Sequence, residues 1–161
     1  MLAAYDSLDA QSRVWIYQSN KVLRSEQVQL LKNQLDGFLV QWTSHNQALR
    51  AWGDVLHNRF IVFIVDERFA STSGCSIDKS VVFLQTVEQS FDLDLFDRWN
   101  FAYQGDTGVE TAHKTQFAAL YSSGKINDTT LVFNNLVKTK SEFETKWKIP
   151  LADSWHKRML R

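Results

Sequence analysis

The sequence predicts an α+β fold: a single mixed or mainly antiparallel sheet of about five strands with helices packed on it. Three observations carry that expectation. Short β-branched and aromatic runs alternate with stretches whose apolar residues recur at helical spacing. The resulting order is β-α-β-β-α-β-α-β-α, whose β-α-β-β-α-β portion invites comparison with the split βαβ arrangement in element order alone. One proline and six dispersed glycines, with no repeat, low-complexity tract or linker, make residues 1–161 a single domain. At 44% hydrophobic and 22% charged residues the chain is composed like a folded globular protein.

Residues 1–12 read as a loosely held arm. Arg13 to Ser19 is a first strand, free of breakers. Val14 and Ile16 lie on one face, Trp15 and Tyr17 on the other. Two apolar faces predict a central strand, covered on both sides. Ser25 is a good N-cap, and Val28, Leu31, Leu35, Phe38, Leu39 and Trp42 recur at helical spacing, which predicts a helix over 25–43. Gly37 inside it costs about 1 kcal/mol relative to alanine and points to close packing there. Ala48 to Leu56 and Arg59 to Val65 form a hairpin about His57 and Asn58. A helix over 76–91 puts Ile77, Val81, Leu84, Val87 and Phe91 on one face. Phe96 to Gln104 alternates as a half-buried strand does, with Trp99, Phe101 and Tyr103 on one side. A shorter helix spans 110–123 and stops at Gly124. Thr129 to Asn134 is the fifth strand. Thr139 and Glu142 form a capping box for a short helix that Pro150 ends, and residues 152–160 add a last helical turn or two.

Charge and motifs exclude several function classes. Formal net charge is zero, so no global field draws the chain to nucleic acid or to an anionic membrane. No window approaches the roughly 18 consecutive apolar residues of a membrane helix. The N-terminal residues lack the basic and apolar regions of a signal peptide, and one cysteine makes no internal disulfide; a cytoplasmic location is the expectation. The four histidines have no zinc-ligand spacing, so no metal is expected. Asp92, Asp94 and Asp97 lack the glycine and glutamate of a calcium loop. GxSxG, GxGxxG and a P-loop are absent, the nearest stretch being Ser123-Gly124-Lys125, and no cofactor is expected. The C-terminal run from Trp155 to Arg161 is basic and amphipathic, a weak signal for nucleic acid or a partner and better read as a solvated end with Trp155 tucked into the core. Asn134 and Asn135 are placed to bond a ligand or to close a turn.

The richest stretch is 60–91. An apolar strand ends in Asp66 and Glu67, a small polar loop follows, and Cys75 stands at the mouth of a helix. Asp66, Ser71, Ser73, Cys75 and Asp78 together form a candidate ligand-binding site. Amide groups at a helix start favour an anion and the carboxylates favour a cation, so the sequence does not choose between them. Four of the five also have an ordinary structural explanation. Asp66 can cap the loop, Asp78 can complement the helix dipole, and Ser73 or Ser76 can cap the helix. Cys75 is then a small half-buried residue rather than a nucleophile activated by the helix start.

VWIYQSN (14–20), FLVQW (38–42), SGCSIDKSV (73–81), LFDRWN (95–100), VFNNLVKTKSEFE (132–144) and SWHKRML (154–160) together resemble a family of small Bacteroidetes proteins often labelled "ABC transporter ATPase". The likeness covers nearly the whole chain and implies no catalytic residue. The missing phosphate loop departs from the label. Three functions stay open: a small binding or regulatory module, as a homodimer or alone, with its site around 66–78; a thiol-dependent enzyme or redox sensor using Cys75 with His45, His57, His113 or His156 as base; and a structural protein–protein interaction domain.

Overall fold

The computed structural model describes residues 1–160; Arg161 lies outside them. Among the described residues nine strands and four α-helices follow one another: β1 (Arg13–Gln18), α1 (Ser25–Gln41), β2 (Thr43–Ser44), β3 (Gln47–Ala48), β4 (Ala51–Leu56), β5 (Phe60–Val65), α2 (Gly74–Phe91), β6 (Asn100–Gln104), β7 (Val109–His113), α3 (Lys114–Ser122), β8 (Leu131–Phe133), α4 (Lys140–Lys146) and β9 (Lys148–Pro150). Two 3-10 segments, Leu151–Asp153 and Trp155–Leu160, close the described chain.

The fold is α+β, but the expected single sheet is three. β1-β5-β4 form one antiparallel sheet, β2-β3 a small hairpin, and β7-β6-β8-β9 a second antiparallel sheet. The reason lies in β5. All six of its residues, Phe60 to Val65, are buried, so both faces of its sheet must be covered. Ile61, Phe63 and Val65 face Leu31, Leu35 and Leu39 of α1 and Leu84 and Val87 of α2. Phe60, Val62 and Ile64 face Ala102 of β6, Phe133 of β8, and Trp147. The far face of the second sheet carries Phe101, Tyr103, Ala112 and Val132, packed on Phe117 of α3 and the C-terminal 3-10 segment. The molecule is therefore layered helix, sheet, sheet, helix. Each fully buried leucine or phenylalanine contributes about 2 kcal/mol, so the two faces of β5 anchor both halves.

This layering corrects the reading of β1. It has two apolar faces because it lies between layers, yet laterally it is an edge strand, with β5 at the centre. Side-chain alternation records which faces are covered and says nothing of which strands stand to either side.

Other boundaries also move. The N-terminal arm is tied down: Leu2 bridges Ala51, Ala3 N–H donates to Ala51 O at 2.9 Å, and Leu8 is buried. The 48–56 strand splits into β3 and β4. The 96–104 strand begins only at Asn100, because Asp94 and Asp97 accept backbone N–H groups two residues on and hold 94–99 as turns. Residues 109–113, expected to begin the 110–123 helix, form β7, and 148–150 form β9. Both join the second sheet. The predicted hairpin about His57 and Asn58 is present, with both residues at positive φ, and His45-Asn46 makes the same turn between β2 and β3. Gly37 has open space around it, against expectation. The close approach is at Gly53 of β4, where a Cβ would meet Leu39 Cδ1 at 2.9 Å.

Candidate functional site

The stretch singled out from the sequence is held by its own hydrogen bonds. Asp66 is fully buried at the end of β5. Its Oδ1 accepts from Arg68 Nε at 2.9 Å, and its Oδ2 from Arg68 Nη2 at 2.6 Å. The backbone N–H groups of Arg68 and Asp9 donate to the same carboxylate. The Arg68 guanidinium, outweighing the desolvation that opposes it, holds the carboxyl down to about 2. Glu67 Oε2 accepts from the N–H and the hydroxyl of Thr72, both at 2.8 Å. Arg13 Nη1 donates to Thr72 Oγ1 at 2.9 Å and pins the loop to β1.

Ser73 is the N-cap of α2. Its Oγ accepts from Ser76 N, and Ser76 Oγ accepts from Ser73 N at 2.7 Å, a reciprocal cap. Ser44 Oγ donates to Ser73 Oγ at 3.0 Å. Ser71, Cys75 and Asp78 are exposed, so Cys75 is not the half-buried packing residue of the bland reading. Asp66 is buried in its arginine pair while Cys75 and Asp78 face solvent, and none of the five candidate residues lines the cleft beside β1. No group of three His, Cys, Asp or Glu among the described residues is placed to hold a metal ion. Of the possible bases for Cys75, His156 lies two layers away, on the far face of the second sheet. It is buried, stacked on Trp155, with Nδ1 2.6 Å from Ser154 Oγ, and burial pushes it down to about 4.

A concave site lies elsewhere. A cleft of about 710 Å³ opens beside β1, walled by Arg13–Gln18, by residues 95–102 entering β6, by 135–138 after β8, and by Trp155, His156 and Met159. Polar groups meet at its inner end. Gln18 Nε2 donates to Asn100 O, Asn135 Nδ2 donates to Gln18 Oε1 at 3.1 Å, and Trp147 Nε1 donates to Asn135 Oδ1 at 2.9 Å. Asn134 closes the adjacent turn, accepting from Leu136 N and from Trp155 Nε1. So of the two asparagines, Asn134 closes a turn and Asn135 sits in the cleft.

The rim is aromatic and cationic. Phe96, Trp99 and Leu136 are exposed, Trp99 by 49% and Leu136 by 62%. Arg13 stacks over Trp15 and Lys114 over Trp99. Arg98 and Lys138 form no ion pair with a described residue. Asp97, the acidic residue of the wall, has its oxygens turned to Trp99 N and Asn100 Nδ2. Burial raises the Tyr17 phenol, with Arg98 pulling the other way.

The backbone of β1 also faces this cleft. Val14 N–H donates to Lys138 O, away from β5, whereas Ser19 N–H donates to Arg59 O on the β5 side. In an antiparallel ladder these directions alternate, so Ile16, like Val14, points its N–H and C=O outward. Among the described residues no hydrogen bond takes up that pair.

Compared with known protein families, curated proteins and solved structures, the chain gives no match to a family model, a protein or a structure. Sequence reasoning passed over the cleft because its walls come from four separated segments. The one local signal is the pair of aromatics flanking Arg98 in Phe96-Asp97-Arg98-Trp99, a pattern that also fits strand alternation.

Proposed function

We propose that this chain is a binding module whose site is the cleft beside β1, and that its ligand has an apolar or aromatic body and an acidic group. The observation that carries the reading is the cleft itself: a cavity of about 710 Å³ with an apolar lining, a few convergent amides and unpaired cations at the rim. Trp15, Tyr17 and Trp99 supply flat apolar surface. Arg98 and Lys138 supply positive charge and form no ion pair with a described residue: Asp97 is turned to Trp99 N and Asn100 Nδ2, and Glu142 accepts from the backbone N–H of Lys138. The cleft is a better candidate for the site of the binding module than 66–78, where Asp66, Glu67 and Ser73 are engaged with their neighbours. The family resemblance supplies no activity, so the reading rests on geometry and charge.

The test is a titration of the isotope-labelled protein with a small aromatic carboxylate, indole-3-propionate, followed by amide resonances. Shifts are expected at Tyr17, Arg98, Asn100 and Asn135, and Arg98→Glu with Lys138→Glu should abolish them. Shifts confined to residues 66–78, or none at all, would overturn the reading.

A further inference from the structure

The cleft is bounded on one side by an unfinished sheet edge. At its start β1 already has an outer neighbour: Arg13 bridges Thr139 antiparallel, and Val14 N–H reaches Lys138 O at 3.0 Å. That neighbour then leaves. Asn134 folds the chain into a turn, with Val137 N–H on Asn134 O and Leu136 N–H on Asn134 Oδ1, and the segment swings off before it reaches Ile16. At Ile16, which lines the cleft, the outward N–H and C=O are left without a partner among the described residues. An unpaired strand edge is a template for another strand, and soluble proteins ordinarily cover or charge it.

We infer that the cleft takes an extended, acidic segment of another protein, which adds as a strand to the outer edge of β1 at Ile16. This rests on the cleft being the binding site and names what fills it. Backbone pairing would take up the Ile16 N–H and C=O, the mode in which a peptide extends an existing sheet. Alternate side chains of the segment would then point to opposite faces, toward Tyr17 and Trp99 or toward the rim. Arg98 and Lys138, unpaired and exposed, select acidic side chains. They also disfavour a second copy of this chain, whose own β1 would bring the same cations face to face.

The experiment uses the intact protein and a capped peptide of about six residues, alternating glutamate and valine. It adds a lysine-for-glutamate version and two versions N-methylated on the valines or on the glutamates. The glutamate peptide should bind, shift the Ile16 amide and slow its hydrogen exchange. One N-methylated form should bind about tenfold more weakly than the other, because only alternate amides of the peptide face β1. The lysine peptide should bind only after Arg98→Glu with Lys138→Glu. Equal binding of both N-methylated forms would overturn strand addition, and so would failure of every peptide. In either case continued binding of indole-3-propionate would leave the cleft reading standing, and its failure would remove both. Protection of the Ile16 amide that grows with protein concentration alone would assign the edge to a second copy and overturn the heterologous partner.

Discussion

In the loop between β5 and α2, polar side chains are dense and already engaged with one another. Asp66 is taken by Arg68 and Asp9, Glu67 by Thr72, and Ser73 by Ser76. Beside β1 polar groups are sparser, but among the described residues two cations form no ion pair and a backbone N–H and C=O pair has no partner. The first region ties the N-terminal arm, β5 and α2 together. The second has unused bonding capacity around an empty volume. Residue type marks where chemistry is possible; whether a group's hydrogen bonds are already made separates a joint of the fold from a site.

Four experiments break or sharpen that contrast. Asp66→Ala leaves Arg68 and two backbone N–H groups without their acceptor and should lower stability by about 3 kcal/mol in urea unfolding. Affinity of the cleft for indole-3-propionate should stay unchanged; a joint loss would make the loop part of the site. The pH dependence comes next. His156 is held neutral, with a folded value of about 4 against an ordinary 6.5. Its contribution is therefore full above 6.5 and is lost as pH falls toward 4, by about 2–3 kcal/mol, and His156→Gln should flatten that limb. Asp66 adds a second, lower window. Its folded value of about 2 lies below the ordinary 3.8, so its contribution is complete above 3.8 and falls away between 3.8 and 2. Trp99→Ala should move stability by no more than about 0.5 kcal/mol while weakening the aromatic acid about tenfold. A large loss of stability there would make Trp99 a packing residue. Cys75→Ser should change neither stability nor binding, and native Cys75 should alkylate fully without unfolding. Protection of the thiol until denaturation would contradict its exposure.

Much of the fold was legible because each long element carries its own period. The strands at 13–18 and 60–65 and the helices starting near 25 and 74 stand where alternation and helical spacing put them. What failed was information that no single element holds. β1 shows two apolar faces whether it is central or an edge strand, since covering by layers and pairing by neighbours are independent. The two glycines show the same limit. Gly37 drew attention because it interrupts a helix, yet it faces open space. Gly53 looks like an unremarkable strand residue, yet it is where α1 presses closest on the sheet. The short strands β2, β7 and β9 have two to five residues each, too few for a period to show. The His45-Asn46 hairpin carried a usable signal, because the same dipeptide turns β4 into β5. The loop at 66–78 was rich in functional residue types, but its internal bonding depends on Asp9, Arg13 and Ser44, remote in sequence.

The strand that anchors both layers also sets a hazard before folding is complete. Phe60 to Val65 is six uncharged residues of high β propensity, without proline or glycine, between Arg59 and Asp66. In the native molecule two layers cover it. In a chain whose second sheet has not yet docked, one face stays open, and such a segment pairs readily with its copy in another chain. Arg59 and Asp66 flank it as charged gatekeepers while the chain is open, before both are buried. Removing Asp66 therefore takes away a bond in the folded protein and a guard in the unfolded one, so the variant would be lost to aggregates faster than its stability alone accounts for.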